Sequence, residues 1–251
     1  MKIKIGVRGS KLALAYAERV CKELSCDTEI VVIKTDGDLN PDTPIHEIGG
    51  KGVFCSAIEK ELLNGNIDVA VHSLKDMPGD VEHPDLETSA VLKRNSPHDV
   101  IIGNMFDGFV LGTSSPRRTA QLGALYANLN VKIKPIRGNI DTRLQKLDNG
   151  EYDAIVLAEA GLEALGIDRG WVRLPMHHCT PAVGQGIIAL QTRKGSKASD
   201  VVKEVNHDLT YRQAQLERAL LKGISGDCTT KIAGYASGDN PIKLMARYYE
   251  D

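Results

Sequence analysis

The sequence has no run of about 18 consecutive apolar residues, the length that marks a membrane-spanning helix. Its N-terminus lacks the pattern of a signal peptide: Met1-Lys2-Ile3-Lys4-Ile5 alternates charge and apolar side chain, as a first strand does. Paired cysteines of the CxxC kind are missing. The five cysteines, Cys21, Cys26, Cys55, Cys179 and Cys228, are scattered and odd in number. That argues against a disulfide framework and points to a reducing cytoplasm. An excess of positive charge is missing too. Lys and Arg number 31 against 33 Asp and Glu, a net of −2, which argues against a general nucleic-acid binder. With no Walker-type Gly-Lys-Ser/Thr loop, a phosphate-ligand binder is also weakly supported. Any anion site must be a local cluster.

What is present is an ordinary globular composition, with 42% apolar and 25% charged residues in 251. That length suits one large domain or two to three small ones. Short β-branched runs alternate with helical patterns. Residues 3–7 read as a strand and 10–24 as a helix with Ala13, Ala17, Val20 and Leu24 on one face. Residues 29–34 read as a strand, 34–52 as a long polar loop, 53–63 as a helix and 67–71 as a buried strand. A second series has strands at 100–102, 109–111, 131–136 and 154–157. Helices over 116–127 and 140–147, and a short one ending near 165, stand between and after them. The alternation predicts an α/β fold with parallel sheets and helices on both faces. Residues 6–10 and 111–118 each join a strand to a helix, which suggests two similar lobes with a cleft between them. Residues 181–190 read as a crossover returning to the first lobe. Two helices, 201–207 and 210–222, then open a third, smaller unit that ends in a strand over 242–246.

The strongest local signal is Thr113-Ser114-Ser115-Pro116-Arg117-Arg118. Ser115 is a good N-cap and Pro116 a good first helical residue. Two arginines next are the wrong charge for a helix start, costing about 0.3–1 kcal/mol each at an exposed site. They make sense if an anion sits against them. Arg8 and Arg137 also fall at strand C-termini, and Arg143 lies near the next helix start. Ligands of parallel α/β sheets bind outside those strand ends, and each guanidinium can grip one carboxylate in a two-point fork. Lys75-Asp76 follows the strand at 67–71. An aspartate among arginines either pairs with them or accepts N–H bonds from a ligand and stabilises positive charge. Together these features suggest an anionic nitrogen heterocycle. His72 reads as structural. His177-His178-Cys179 is not assigned a metal, because adjacent histidines in a strand point to opposite faces. Cys228 lies in a small-residue loop where a thiol is accessible.

Taken together, RGSKLAL (8–14), GGKGVF (49–54), DVAVHSLKDMP (68–78), GTSSPRRTAQL (112–122), RGNIDTRLQKLDNGEYDAIVLAEAGL (137–162), PAVGQG (181–186) and LERALL (216–221) resemble the hydroxymethylbilane synthase, or porphobilinogen deaminase, family. The resemblance runs in family order over nearly the whole chain. It implies two periplasmic-binding-protein-like (type II) lobes and a small α+β third domain, divided as 1–92 with 187–203, 93–186, and 204–251. It implies a transferase of tetrapyrrole (heme) biosynthesis that condenses four porphobilinogen molecules head to tail, releases ammonia and hydrolyses the product to hydroxymethylbilane. A covalent dipyrromethane cofactor would be carried as a thioether on Cys228. Asp76 matches the catalytic aspartate. Lys75, Asp76, Thr113, Ser114, Ser115, Arg117, Arg118, Arg143 and Gly186 match the cofactor side of the cleft. Arg8, Ser10, Arg137, Arg143, Lys51 and Phe54 match the substrate side. A cytoplasmic monomer is implied, with hand-off of product to uroporphyrinogen-III synthase, and no metal, membrane or nucleic-acid partner.

The sequence departs from the family at three places. Cys228 is preceded by Gly226-Asp227, where the family has two glycines, and an aspartate should raise the thiol pKa. An arginine that often follows AGL is absent from Ala160-Gly161-Leu162-Glu163-Ala164. The family pattern continues through another strand and helix beyond Asp251. A second reading is therefore a catalytically impaired homologue that only binds pyrrole carboxylates.

Overall fold

The computed structural model describes residues 2–35, 55–79, 83–224 and 230–249. The expected 34–52 loop, with Lys51 and Phe54 beside it, and Cys228 lie almost wholly outside the described residues; only residues 34 and 35 of that loop are described.

Two five-stranded sheets carry the fold. One is built from β1 (Ile3–Arg8), β2 (Thr28–Ile33), β3 (Val69–Ser73), β4 (Leu86–Val91) and β10 (Ile188–Arg193), in the order β2-β1-β3-β10-β4. The other is built from β5 (Asp99–Gly103), β6 (Val110–Gly112), β7 (Lys132–Lys134), β8 (Ala154–Ala158) and β9 (Val172–Arg173), in the order β7-β6-β8-β5-β9. The two orders are the same pattern, as the repeated strand-to-helix unit suggested. The sheets are mixed, which corrects the expectation of parallel ones. β1 is parallel to β2 and β3, and β6 to β7 and β8, but β10 runs antiparallel to β3 and β4, and β5 antiparallel to β8 and β9. The reversed strands β5 and β10 are those entered after the chain crosses between lobes. A βαβ pattern read along the chain carries no information about them.

Helices cover both faces of each sheet, so the central strands are buried on both sides, while β2, β7 and β9 keep exposed residues. In the first lobe α1 (Lys11–Glu23) and α6 (Lys197–Lys203) pack Ala17, Val20, Ala198 and Val202 onto Ile3, Ile5 and Val7. On the opposite face α2 (Ser56–Leu63) packs Ile58 and Leu62 onto Ile67 and Ala70. In the second lobe α3 (Pro116–Leu125) brings Leu122 to Phe109 and Leu111. On its other face α4 (Ile140–Asp148) and α5 (Glu159–Ala164) bring Leu144 and Leu162 to Val100, Ile102 and Ile155. Strands that polar or small residues concealed are β4 (LETSAV), β9 and β11 (Ile232–Ser237).

The third unit is α7 (Asp208–Gly223) against the antiparallel ribbon of β11 and β12 (Lys243–Tyr248). Its anchor is Glu217, fully buried on α7. The carboxylate accepts from Arg94, from the Gly184 N–H at 2.7 Å and from the Ala236 N–H at 2.7 Å. Arg94 also donates to the Gln185 carbonyl at 3.0 Å and lies 4.8 Å from the centre of the Tyr235 ring. One acid thus ties helix, ribbon and both inter-lobe crossing segments together. Removing one member of such a buried pair costs about 3–5 kcal/mol. Glu217→Ala should therefore lower the urea midpoint by that equivalent, and a midpoint equal to wild type would show that the anchor carries no such weight.

Candidate active site

Parallel strands of both lobes end at one cleft. β1 ends at Arg8, and Ser10 then caps α1, its hydroxyl accepting from the Ala13 N–H at 3.3 Å. β3 runs into a single 3-10 turn, Leu74–Asp76. β6 leads to Thr113, whose hydroxyl oxygen accepts from the Ser115 N–H at 3.1 Å. Ser114, exposed, donates to the Ile136 carbonyl at 2.8 Å and accepts from the Ile136 N–H at 3.0 Å, which joins β6 to the stretch after β7. Ser115 caps α3 with Pro116 at its start. Arg137 follows β7, and Arg143 on α4 donates its Nε–H to the Gly138 carbonyl at 2.8 Å.

Two glycines let the inter-lobe crossing approach its neighbours closely, Gly184 the Leu74–Asp76 turn and Gly186 the other crossing. Gly184 has φ +73°, and a Cβ there would lie 3.0 Å from the Lys75 nitrogen. Gly186 has φ +82°, and its Cβ would lie 2.7 Å from the Ser96 carbonyl oxygen. Both left-handed backbone and close approach demand glycine. The Gly186 carbonyl accepts from the Asn95 N–H at 2.8 Å, stitching the two crossings to each other.

The anion that the arginine pair called for is supplied by the chain itself. Asp99, fully buried at the start of β5, accepts Arg117 Nη2–H at 2.7 Å, Arg118 Nη2–H at 2.6 Å and Arg118 Nε–H at 3.1 Å. Arg117 also donates to the Thr180 carbonyl at 2.6 Å, and Arg118 to the Val156 carbonyl at 3.1 Å. Neither guanidinium exhausts its five donors on these bonds. Burial opposes the charge on Asp99, but the two arginines outweigh it and hold the carboxyl far below the usual range. The Cys179 thiol donates to the same carboxylate at 3.4 Å, and burial first, then Asp99, pushes it up to about 12. Sequence reading missed Asp99. The one available signal was an acid opening the apolar run Asp99–Gly103.

Asp99 alone sets one negative charge against the two arginines. Asp76 does not join that cluster: among the described residues no hydrogen-bond or ion-pair partner meets its carboxylate, although it feels Lys75 and Arg143. Lys75 has no hydrogen-bonded or ion-pair partner there either. Burial lowers its ammonium to about 8; Arg118 and Arg117 add to the lowering, while Asp76 and Asp99 oppose it. Arg143 is lowered to about 10, by burial first and then by Arg118 and Arg137. The structure therefore gathers Lys75, Asp76, Arg118, Arg137 and Arg143 from two lobes into one electrostatic neighbourhood. Arg8 lies near His72, whose Nε2–H donates to the Gln191 side-chain oxygen at 3.2 Å and which burial lowers to about 4, a neutral structural role. The lobes also meet at the rim, where Lys11 and Asp141 pair at 3.1 Å.

The family described as porphobilinogen deaminase, dipyromethane cofactor binding domain, matches residues 3–200. A porphobilinogen deaminase of Orientia tsutsugamushi is 42% identical over 260 residues, covering 97% of this chain and 86% of its own. A protein of Methanocella arvoryzae named a probable porphobilinogen deaminase is 45% identical over 245 residues, covering 94% of this chain and 80% of its own. The solved substrate binding domain 2 of Lactococcus lactis GlnP, in open conformation, is 11% identical with a TM-score of 0.44, over 89% of this chain and 90% of that one. This chain belongs to the porphobilinogen deaminase family.

Lys75 gives the cleft a pH dependence. Its lowered value means that burial penalises the charged form, and that penalty on folding is lifted as pH rises through about 8. A bound carboxylate reverses the cause and draws a proton back onto the amine. Binding of a small dicarboxylate such as glutarate should take up a proton between about pH 8 and 9 and weaken above it. Calorimetry in two buffers of different ionisation heat measures this. Lys75→Met should abolish the uptake, and wild-type binding without uptake in that window would refute the assignment.

Proposed function

We propose that the inter-lobe cleft, between residues 1–92 with 187–203 and residues 93–186, performs the family's reaction with Asp76 as its catalytic group. The activity is that of hydroxymethylbilane synthase: four porphobilinogen molecules are joined head to tail with loss of ammonia, and the product is hydrolysed to hydroxymethylbilane. The observation that carries this reading is the Asp76 carboxylate, which has no hydrogen-bond partner among the described residues and stands at a strand end within reach of Lys75 and Arg143. In an enclosed site a carboxylate left without protein donors is available to ligand N–H groups.

Each residue has a role that its chemistry suits. Loss of ammonia leaves positive charge delocalised over a pyrrole. The Asp76 carboxylate would stabilise that charge and orient ring N–H groups. Lys75 and Arg143, with the spare donors of Arg117 and Arg118, would hold acetate and propionate groups, helped by Thr113, Ser114, Ser115 and the backbone at Gly186. Arg8, Ser10 and Arg137, with Lys51 and Phe54, would serve the incoming substrate. These donors fit a ligand carrying several carboxylates, as a pyrrole chain does. The dipyrromethane cofactor, held through Cys228, supplies when bound a covalent primer on which the chain is built. The protein would act as a cytoplasmic monomer that passes its product to uroporphyrinogen-III synthase.

Intact mass of the purified protein should exceed the sequence mass by a dipyrromethane adduct, and Cys228→Ala should remove the adduct. Asp76→Asn should keep the adduct and lose nearly all conversion of porphobilinogen to uroporphyrin. An unmodified wild-type mass with no product, or full turnover in Asp76→Asn, would sink the reading.

A further inference from the structure

One buried titratable group near the cleft has no part in the scheme above. Tyr16 lies on α1, only 7% exposed, with its ring in the core beside Ala17 and Val20. α1 meets α5 of the other lobe there: Leu12 lies 3.6 Å from where a Cβ on Gly161 would sit, and Ala164 packs on the same core. The Tyr16 hydroxyl takes no hydrogen bond from a described residue. It is not sealed either, since Gln185 Oε1 is the only such unpartnered atom fully shut off from solvent among the described residues. The hydroxyl is therefore not fully shut off from solvent, on a helix that touches both β3 and α5.

Its charged neighbours are Asp76 from the catalytic turn, Glu163 from α5 and Arg19 from its own helix. Arg19 is spent on Glu23, on the Asn95 side chain and on the Lys93 carbonyl. Glu163 is exposed and takes no hydrogen bond among the described residues. Burial first and then Asp76 push the Tyr16 hydroxyl up to about 12, so it keeps its proton throughout the working range. The seam thus presents two carboxylates with no hydrogen-bond partner and one neutral hydroxyl. A substrate carboxylate would be repelled there, whereas Lys75 and Arg143, which also neighbour Asp76, would attract one.

We propose that the Tyr16 hydroxyl, between Asp76 and Glu163, receives the cationic aminomethyl end of the incoming pyrrole. The inference rests on the hydroxymethylbilane synthase reading and orients its substrate: carboxylates toward Lys75 and Arg143, ammonium toward Tyr16 and Glu163. Before reaction the tyrosine oxygen accepts a hydrogen bond from the ammonium. The C–N bond then breaks with both electrons going to nitrogen, which departs as neutral ammonia, and the ring system keeps the positive charge beside Asp76. No proton moves to or from Tyr16. Its O–H can then donate to the lone pair of the departing ammonia.

The test compares porphobilinogen with its alcohol analogue, in which a hydroxyl replaces the amino group and no cation is present. In the holoenzyme, Tyr16→Phe should lower kcat/KM for porphobilinogen by about ten- to a hundredfold, the range for losing a hydrogen bond to a charged group. The inhibition constant of the alcohol analogue should change by less than about threefold, the scale of a neutral hydrogen bond at its weak end. Glu163→Gln should raise KM for porphobilinogen, more so at low salt, and leave the analogue unaffected. Equal effects on both compounds, or no effect of either variant, would overturn the proposal. A melting temperature within the wild-type range excludes misfolding of Tyr16→Phe, and Glu163→Gln reports independently from an exposed position. Failure of the wild type to consume porphobilinogen would overturn the functional reading itself, and is distinguished from failure of the Tyr16 role by that alone.

Discussion

The clasp of Arg117 and Arg118 on Asp99 is the interaction on which the cleft depends. Three charges are withdrawn from water within one lobe, which is costly, and the geometry must offset the loss. It does so by satisfying the carboxylate from two guanidiniums and a thiol, and by giving each guanidinium a backbone carbonyl as well. The cluster still carries one more positive than negative charge. That excess is fixed in the scaffold, and it is one reason that Lys75 across the cleft holds its proton weakly. The positive potential of the site is thus built beneath the surface, where salt screens it less than it would a loop of solvated lysines.

A second buried acid, Glu217, does for the third unit what Asp99 does for the second lobe. Consecutive residues of one crossing segment hold both: the Gly184 N–H bonds Glu217 at 2.7 Å, and the Gln185 Nε2–H bonds Asp99 at 2.9 Å. The same segment presses on the Leu74–Asp76 turn at Gly184. The turn that bears Lys75 and Asp76 is therefore set against a strip whose position is fixed from two sides by buried carboxylates. A change at either acid has a short mechanical route to Lys75 and Asp76. Gln185 Oε1 is left without a partner in this strip, a cost of order 1–3 kcal/mol for a buried acceptor that the surrounding bonds must outweigh.

Much of this was legible in the sequence, and the physical reason differs from part to part. Helices with a regular apolar stripe, such as α1, and strands that are short unbroken apolar runs, such as β8, announce themselves by pattern. β4 does not, because Thr88 and Ser89 interrupt it; Ser89 is buried all the same, its hydroxyl bonded to Thr192 at 2.7 Å. β11 is concealed by Gly234 and three alanine or serine neighbours, small because α7 and the crossing segment lie close. Strand direction was not legible for β5 and β10, because it follows from where the chain crosses between lobes. In the site, the arginines stood out by their place at strand ends and helix starts. Asp99 did not, since an acid at a strand boundary is commonplace and its partners lie 18 and 19 residues away.

The near-neutral total of the chain conceals a sharply divided cleft. Lys75 and Arg143 feel the overcharged clasp around Asp99 as well as Asp76, while the protonated Tyr16 has Asp76 and Glu163 as its acidic neighbours. A ligand with carboxylates at one end and an ammonium at the other meets complementary charge at both ends, and a simple polyanion meets it at only one. The division also bears on the absence of arginine after AGL. With Glu163 and Ala164 in that stretch, α5 carries an exposed carboxylate there and no arginine. On the substrate orientation proposed above, that placement of charge, and not its sum, would favour zwitterionic over purely anionic pyrroles.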